Sequence, residues 1–238
     1  MRKDGRKFNE LRPVKITTGF VKYAEGSVLI ECGDTKVLCN ASVEDRVPPH
    51  VRPGHGWVTA EYSMLPRANR ERSRRDIDKL KLSSRSAEIQ RLIGRSLRAA
   101  VDMEALGERT ITIDCDVLQG DGGTRTASVT GGFIALALAC RKLVEEGYIG
   151  RNPIRHFAAG VSAGIVDDTA VLDLPYSEDS QAQVDLNCIM NELGEIIEIQ
   201  GTGEGRAFTV AEQQNLLELC AKGNRELIAK QREILGGL

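Results

Sequence analysis

Alternating apolar and polar residues predict β-strands in the first and last thirds of the chain. The pattern is clearest over residues 110–117, where isoleucine, cysteine and valine alternate with threonine and aspartate. Gly33 and Asp34 separate two such segments, which is typical of a hairpin turn. The predicted strands are Ser27–Glu31, Thr35–Val43, Trp57–Tyr62, Thr110–Val117, Gly160–Val166, Ala170–Leu174, Val184–Met190 and Glu195–Gln200.

Three segments carry the spacing of helices. From Ser86 onward, apolar residues recur every three or four positions and predict a helix with one buried stripe. Residues 127–146 are almost wholly apolar and predict a helix at the centre of the fold. A last helix should begin at Thr209, where Glu212 completes a capping box. This order of elements predicts an α/β (α+β) fold, in which helices pack on mixed β-sheets.

The composition is that of a globular protein. The 238 residues are 41% hydrophobic and 28% charged, which excludes a disordered chain. We find no internal repeat or linker and expect a single domain over residues 1–238. No apolar run approaches the ~20 residues of a membrane span, so no membrane partner is expected. None of the six cysteines forms a C-x-x-C pair, which indicates core residues and a reducing, cytoplasmic location.

The formal net charge of −2 at first argues against a nucleic-acid binder. The charge is unevenly distributed, however. Residues 67–98 hold eleven basic and four acidic residues, a net of +7, whereas residues 167–238 hold fourteen acidic and five basic residues, a net of −9. Such a basic segment would attract polyanions, although it is also compatible with a solvated helix face and loop. Residues 67–81 have no apolar period and predict a loop.

A glycine-rich turn connects the strand at 110–117 to the central helix. Gly120, Gly122 and Gly123 permit positive φ angles and close backbone approach. The free N–H groups and the dipole at a helix N-terminus favour an anion, and Arg125 adds a guanidinium suited to phosphate oxygens. Alone, the turn is equally typical of a tight connection beside a surface arginine. It lacks the Gly-Lys-Ser/Thr ending of a Walker A loop.

Two carboxylates in the last third are candidates for acid–base or metal chemistry. Asp179 lies in the turn Glu178-Asp179-Ser180, and Asp185 interrupts a strand, on the same polar face as Asn187. Paired carboxylates suit Mg²⁺ or a proton transfer at a leaving oxygen. The alternative is an ordinary acidic turn and an outward-facing strand residue.

Long motifs then occur in order along nearly the whole chain. They are Asp4-Gly5-Arg6, Glu10–Val14, Gly26–Leu29, Gly56–Tyr62, Met64–Arg67, Glu88–Arg95, Asp114–Val117, Asp121–Thr126 and Gln200-Gly201-Thr202. With these motifs the chain resembles the ribonuclease PH family of phosphorolytic tRNA 3′-end exoribonucleases. The stretch before Arg85 departs from the family pattern, because it is less rich in glycine.

The resemblance implies roles for the residues singled out above. Asp179 and Asp185 correspond to the catalytic aspartates of the family, and from their spacing and position we hypothesise that they bind Mg²⁺. RNA phosphates are expected to follow the arginine-rich loop. The implied phosphate-binding residues are Arg85, Gly123, Thr124 and Arg125, and the implied RNA-binding residues are Arg67, Arg70, Arg72, Arg74 and Arg75.

The resemblance also implies a fold similar to ribosomal protein S5 domain 2 and a homohexameric ring of three dimers. The implied activity is phosphate-dependent 3′-to-5′ trimming of tRNA precursors and other RNA 3′ ends. It releases nucleoside diphosphates and is reversible as nucleotidyl addition. Two alternatives stay open here: a non-catalytic, exosome-type RNA-binding ring subunit, and a small-molecule phosphotransferase.

Overall fold

The computed structural model describes residues 2–75 and 83–237, which form two β-sheets and five helices. Lys79 and Lys81, which belong to the predicted basic segment, lie outside the described residues. The elements are β1 (Val14–Thr18), β2 (Gly26–Cys32), β3 (Thr35–Glu44), β4 (Trp57–Met64), α1 (Ser84–Ala99), α2 (Met103–Leu106), β5 (Thr110–Gln119), α3 (Thr124–Glu145), β6 (Ala158–Val166), β7 (Thr169–Leu172), α4 (Tyr176–Asp179), β8 (Val184–Asn191), β9 (Ile196–Gly203) and α5 (Val210–Leu235).

Each of the two sheets contains strands from one half of the chain. The first sheet has the order β1-β2-β3-β5-β4, and its neighbours are antiparallel except for the parallel pair β4 and β5. The second sheet has the order β7-β6-β8-β9 and is antiparallel throughout. The predicted α/β fold is therefore confirmed, with the first sheet mixed and the second purely antiparallel.

Helix α3 lies between the two sheets and contacts β2 and β3 on one side and β6 on the other. At Gly131 an added Cβ would lie 2.7 Å from the Ile30 side chain, so glycine allows the helix to approach the first sheet closely. Contrary to the expectation that no apolar run approaches a membrane span, α3, alone among the described helices, is long and apolar enough to cross a membrane by length and composition. Because 78% of its apolar stretch is buried, this composition is explained by its place in the core.

Local signals in the sequence located most elements correctly. Gly33 has the positive φ of a turn, at 57°, and Thr209 and Glu212 form the predicted capping box. All six cysteines are free and buried, as predicted from their apolar surroundings. Helix α1 begins at Ser84, two residues earlier than predicted, with Ser83 as its N-cap. The short elements β1 and α4 were missed, whereas α2 falls inside the helical region that was predicted to end at Gly107 and is a separate short helix.

A buried ion pair joins the first sheet to the second. Arg12 precedes β1 and Asp173 follows β7; each is only 6% exposed. Arg12 Nη2 lies 2.6 Å from Asp173 Oδ1, and the Arg12 backbone N–H donates to Oδ2 at 2.7 Å. Burial raises the pKa of Asp173, but the charge and hydrogen bonds of Arg12, with the charge of Arg6, outweigh burial and hold that pKa below its ordinary value.

We expect Arg12→Met to lower the free energy of unfolding by about 3–5 kcal/mol, because Asp173 would be left buried without its partner. Since the folded pKa of Asp173 is depressed, its stabilising effect is present above the unfolded pKa of about 3.9 and is lost as the pH falls through the folded value. The double variant R12M/D173N should therefore lose less stability below about pH 4 than the wild type does. Urea unfolding as a function of pH measures both effects.

The exposed pair of Arg46 and Glu44 provides a matched control. Arg46→Met removes the same positive charge from a solvated site and should leave the stability close to that of the wild type. An R12M variant no less stable than R46M would contradict the structural role of the buried pair.

Candidate active site

The glycine-rich turn lies at the N-terminus of α3 and is fixed from several sides. Gly122 and Gly123 have φ angles of 75° and 66°, and Gly123 is the helix N-cap. Arg12 Nη1 donates to the Asp121 carbonyl at 2.5 Å, and Thr35 Oγ1 donates to the Gly122 carbonyl at 2.7 Å. No side chain caps the helix, so its first N–H groups can bind an anion.

The turn packs directly against the segment that carries the first aspartate. A Cβ added at Gly122 would lie 2.4 Å from the Leu174 carbonyl oxygen, so this contact requires glycine. The Tyr176 N–H also donates to Asp121 Oδ1 at 3.3 Å. Helix α4 begins at Tyr176 and ends at Asp179, so the contact places the anion site beside that aspartate.

An arginine near the N-terminus anchors α4. Arg2 donates to the Glu178 carboxylate at 2.5 Å and to the Leu172 carbonyl at 2.7 Å. Both side chains of the Arg2–Glu178 pair are less than a tenth exposed. Residue type alone predicts no role for Arg2 or Arg12, although Arg12 lies in one of the motifs that carry the family resemblance.

The two predicted aspartates come together at this point. Asp185 lies on β8, and its Oδ2 accepts a hydrogen bond of 3.1 Å from Asn187 Nδ2, as their shared polar face predicted. Burial, and then the charge of Asp179, raises the pKa of Asp185 to about 6. Burial likewise raises the pKa of Asp179, and the charges of Arg85 and Arg125 oppose that shift. The acidic pair therefore lies within the electrostatic field of both predicted phosphate arginines.

Arg85 and Arg125 flank the N-terminus of α3. Arg85 is an exposed residue in the first turn of α1, and Arg125 is the second residue of α3. Burial raises the pKa of Tyr62, and the charges of both arginines act against that rise. The Tyr62 hydroxyl lies 2.9 Å from Thr124 Oγ1, at the first residue of α3. Because the charges of both arginines act on this hydroxyl, both lie near the N-terminus of α3.

The arginine-rich loop begins beside the same turn. The N–H of Gly120 donates to the Ala68 carbonyl at 2.8 Å, and Arg67 Nη1 donates to the Arg70 carbonyl at 2.8 Å. A path for a polyanion into the site could therefore start at this loop. All five predicted RNA-binding residues are exposed: Arg67, Arg70, Arg72, Arg74 and Arg75.

Two residues without a sequence-based role contact Arg125. Its Nη1 donates to Gln200 Oε1 at 2.7 Å and to Glu88 Oε1 at 3.2 Å. Both residues lie in motifs of the family resemblance, which was the one signal in the sequence that could have identified them.

The fold and the site together define a class of protein. The N-terminus of α3 and the charges of Arg85 and Arg125 lie near the pair of aspartates, and an exposed basic loop begins beside the same turn. This arrangement suits phosphoryl transfer on an anionic polymer. The chain belongs to the 3′ exoribonuclease family: residues 10–142 match domain 1 of that family and residues 156–223 match domain 2.

Two curated relatives match over essentially their whole length. The chain is 57% identical over 236 residues to "Ribonuclease PH" of Syntrophomonas wolfei subsp. wolfei, covering 99% of both chains. It is 58% identical over 238 residues to "Ribonuclease PH" of Bacillus subtilis, covering 99% of this chain and 97% of the relative. These identities place the chain among the ribonuclease PH members of the family.

Solved structures share the fold at much lower identity. The exosome of Archaeoglobus fulgidus "with RNA bound to the active site" aligns with a TM-score of 0.82 and 24% identity, covering 96% of this chain and 92% of that chain. Rice Rrp46 aligns with a TM-score of 0.80 and 19% identity, covering 98% of this chain and all of that chain. These matches establish the fold alone, and the single domain over 1–238 stays a prediction.

We expect Gly122→Ala to weaken the binding of inorganic phosphate about tenfold or more, because the new Cβ would displace the turn from the Leu174 carbonyl. Isothermal titration of the protein with phosphate measures the effect. Gly147 is the matched control, since its φ is 77° and an added Cβ would contact nothing within 4 Å. Gly147→Ala should cost about 1–2 kcal/mol of stability through backbone strain without changing phosphate affinity. Equal phosphate affinities for the two variants would contradict the assignment of the turn.

Proposed function

We propose that this protein is a phosphate-dependent 3′-to-5′ exoribonuclease that trims the 3′ ends of tRNA precursors and releases nucleoside diphosphates. The observation that carries this proposal is the contact between the anion site at α3 and the segment bearing Asp179. Two relatives called Ribonuclease PH, at 57% and 58% identity over the whole chain, support it. The non-catalytic ring subunit is less well supported, since the exosome structures are only 19–24% identical.

Phosphorolysis must bring inorganic phosphate next to a phosphodiester of the same charge. At 4 Å and an effective dielectric constant of 20, each pair of unit charges repels by about 4 kcal/mol. In our proposal Arg85, Arg125 and the N–H groups of Gly123 and Thr124 offset this repulsion and hold the nucleophile in line. The Thr124 contribution is assigned to its N–H because its hydroxyl is engaged by Tyr62. Phosphate is already anionic at neutral pH and needs no strong general base.

The departing ribose 3′-oxygen needs stabilisation, which we assign to Asp179 and Asp185. With a pKa of about 6, Asp185 can hold a proton close to neutral pH and donate it to that oxygen. Alternatively, when both are ionised, these carboxylates fit Mg²⁺, which proteins often hold with one or two carboxylates, substrate oxygens and water. Asp179 and Asp185 would be its protein ligands; within the described residues no group of three or more His, Cys, Asp or Glu side chains gathers around a metal position. Bound there, Mg²⁺ would stabilise charge on the leaving oxygen.

Three further expectations complete the proposal. RNA follows the arginine loop through contacts with its phosphates. The protein assembles as a homohexamer of three dimers, in line with the family resemblance. It acts in a reducing cytoplasm, which the six free, buried cysteines support.

The direct test incubates the protein with a tRNA precursor carrying extra 3′ nucleotides, with and without inorganic phosphate. We expect nucleoside diphosphates only when phosphate is present. An Asp185→Asn variant in the same assay should lose activity by about 100-fold or more, since it cannot supply the proton or the carboxylate charge. RNA binding without release of diphosphates would instead support the scaffold alternative, and undiminished turnover of D185N at limiting Mg²⁺ would overturn the role of the acid pair.

We expect the variant R67A/R70A to bind tRNA more weakly and to have a shallower dependence of affinity on salt. Each lost phosphate contact should reduce the slope of log K against log salt concentration by about 0.7–0.9. The control R46A/R52A removes the same number of positive charges away from the arginine-rich loop. Arg46 lies at the other end of β5, where the Thr110 hydroxyl donates a hydrogen bond to its carbonyl oxygen. Filter binding over a range of salt concentrations measures both. A salt slope for R67A/R70A equal to that of the wild type would mean that RNA does not follow this loop.

A further inference from the structure

The guanidinium of Arg125 is held in a closed triangle of hydrogen bonds. Its Nη1 donates to Gln200 Oε1 at 2.7 Å and to Glu88 Oε1 at 3.2 Å. Gln200 Nε2 in turn donates to the same Glu88 oxygen at 3.0 Å. The three side chains belong to α3, β9 and α1, so three separate elements converge on one arginine.

Among the described residues, this arrangement leaves the Nε and Nη2 donors of the Arg125 guanidinium unused. An arginine has five N–H donors, and the triangle uses the two on Nη1. Within residues 2–75 and 83–237, neither Nε nor Nη2 of Arg125 makes a hydrogen bond. Because the group is planar, holding one nitrogen at two points fixes the direction of the remaining three donors.

Glu88 lies on the same helix, α1, as the other predicted phosphate arginine, Arg85. It follows Arg85 by three residues, so the two share one face of the helix. The same turn of α1 therefore carries one predicted phosphate arginine and the anchor of the other. Their spacing is set by a rigid helix and by the hydrogen bonds to Arg125.

We infer that Glu88 and Gln200 are positioning residues that fix the guanidinium of Arg125, so that its Nε and Nη2 are directed at the bound phosphate. This inference rests on the proposed function of the site. It gives Glu88 and Gln200 a role that is exerted through Arg125. The benefit is pre-organisation, because an arginine already held in its binding geometry loses less rotamer freedom when phosphate arrives.

The variants E88A, Q200A and E88Q test the inference by titration of RNA-free protein with inorganic phosphate. E88A and Q200A should each weaken phosphate binding about tenfold, as expected for lost hydrogen bonds to a charged group. E88Q keeps an oxygen that can accept both hydrogen bonds and should restore an affinity close to that of the wild type. In the exonuclease assay, E88A and Q200A should raise the KM for phosphate and leave the KM for RNA unchanged.

Glu198→Ala is the matched control. Glu198 lies on β9 two residues before Gln200, and its Oε1 pairs with Arg95 of α1 at 2.6 Å, so it also links α1 to β9 without contacting Arg125. E198A should bind phosphate as the wild type does. If E198A is as weak as E88A, the effect is a general loosening of the α1–β9 contact and the inference is overturned.

The remaining outcomes separate the inference from the proposed function. Wild-type affinity in E88A and Q200A, or an E88Q variant as weak as E88A, would overturn the positioning role while leaving phosphorolysis intact. A wild-type protein that binds no phosphate and releases no nucleoside diphosphates would overturn both.

Discussion

The buried ion pair between Arg12 and Asp173 joins the two sheets at the point where the chemistry is assembled. Its arginine also donates to the carbonyls of Asp121 and Gly122, so one guanidinium connects the end of β7 to the turn before α3. Burying two charges is costly, and here the cost is offset by hydrogen bonds to nearly every polar atom involved. Together with the contact of Gly122 with Leu174 and the hydrogen bond from Tyr176 to Asp121, this pair fixes the distance between the turn before α3 and the acidic segment.

Opposite charges are paired around that junction. Arg2 binds Glu178 and Arg12 binds Asp173 in buried pairs, and Arg125 binds the partly exposed Glu88. Asp185 differs, because burial and then the charge of the neighbouring carboxylate Asp179 raise its pKa, and the charge of Arg125 offsets only part of that rise. Stable pairs fix the scaffold, and the unbalanced carboxylate is left for chemistry.

Local patterns in the sequence were sufficient for most of the fold. The alternation over 110–117, the capping box at Thr209 and the apolar central helix each depend on residues a few positions apart, and the structure contains all three. The missed elements are short: α4 has four residues, too few to show a helical period. Strand β1 was missed because its five residues include no fully buried side chain.

Residue types and their order identified the family and the groups that carry charge, since those features are written in contiguous motifs. They did not reveal which charges meet. Arg12 and Asp173 are 161 positions apart, and Arg125 and Gln200 are 75 apart, so no local pattern links them. The pKa of Asp185 and the orientation of Arg125 were likewise decided by packing. Desolvation and Coulomb energies depend on burial and on distances of a few ångströms, which exist only once α1, α3 and the two sheets have come together.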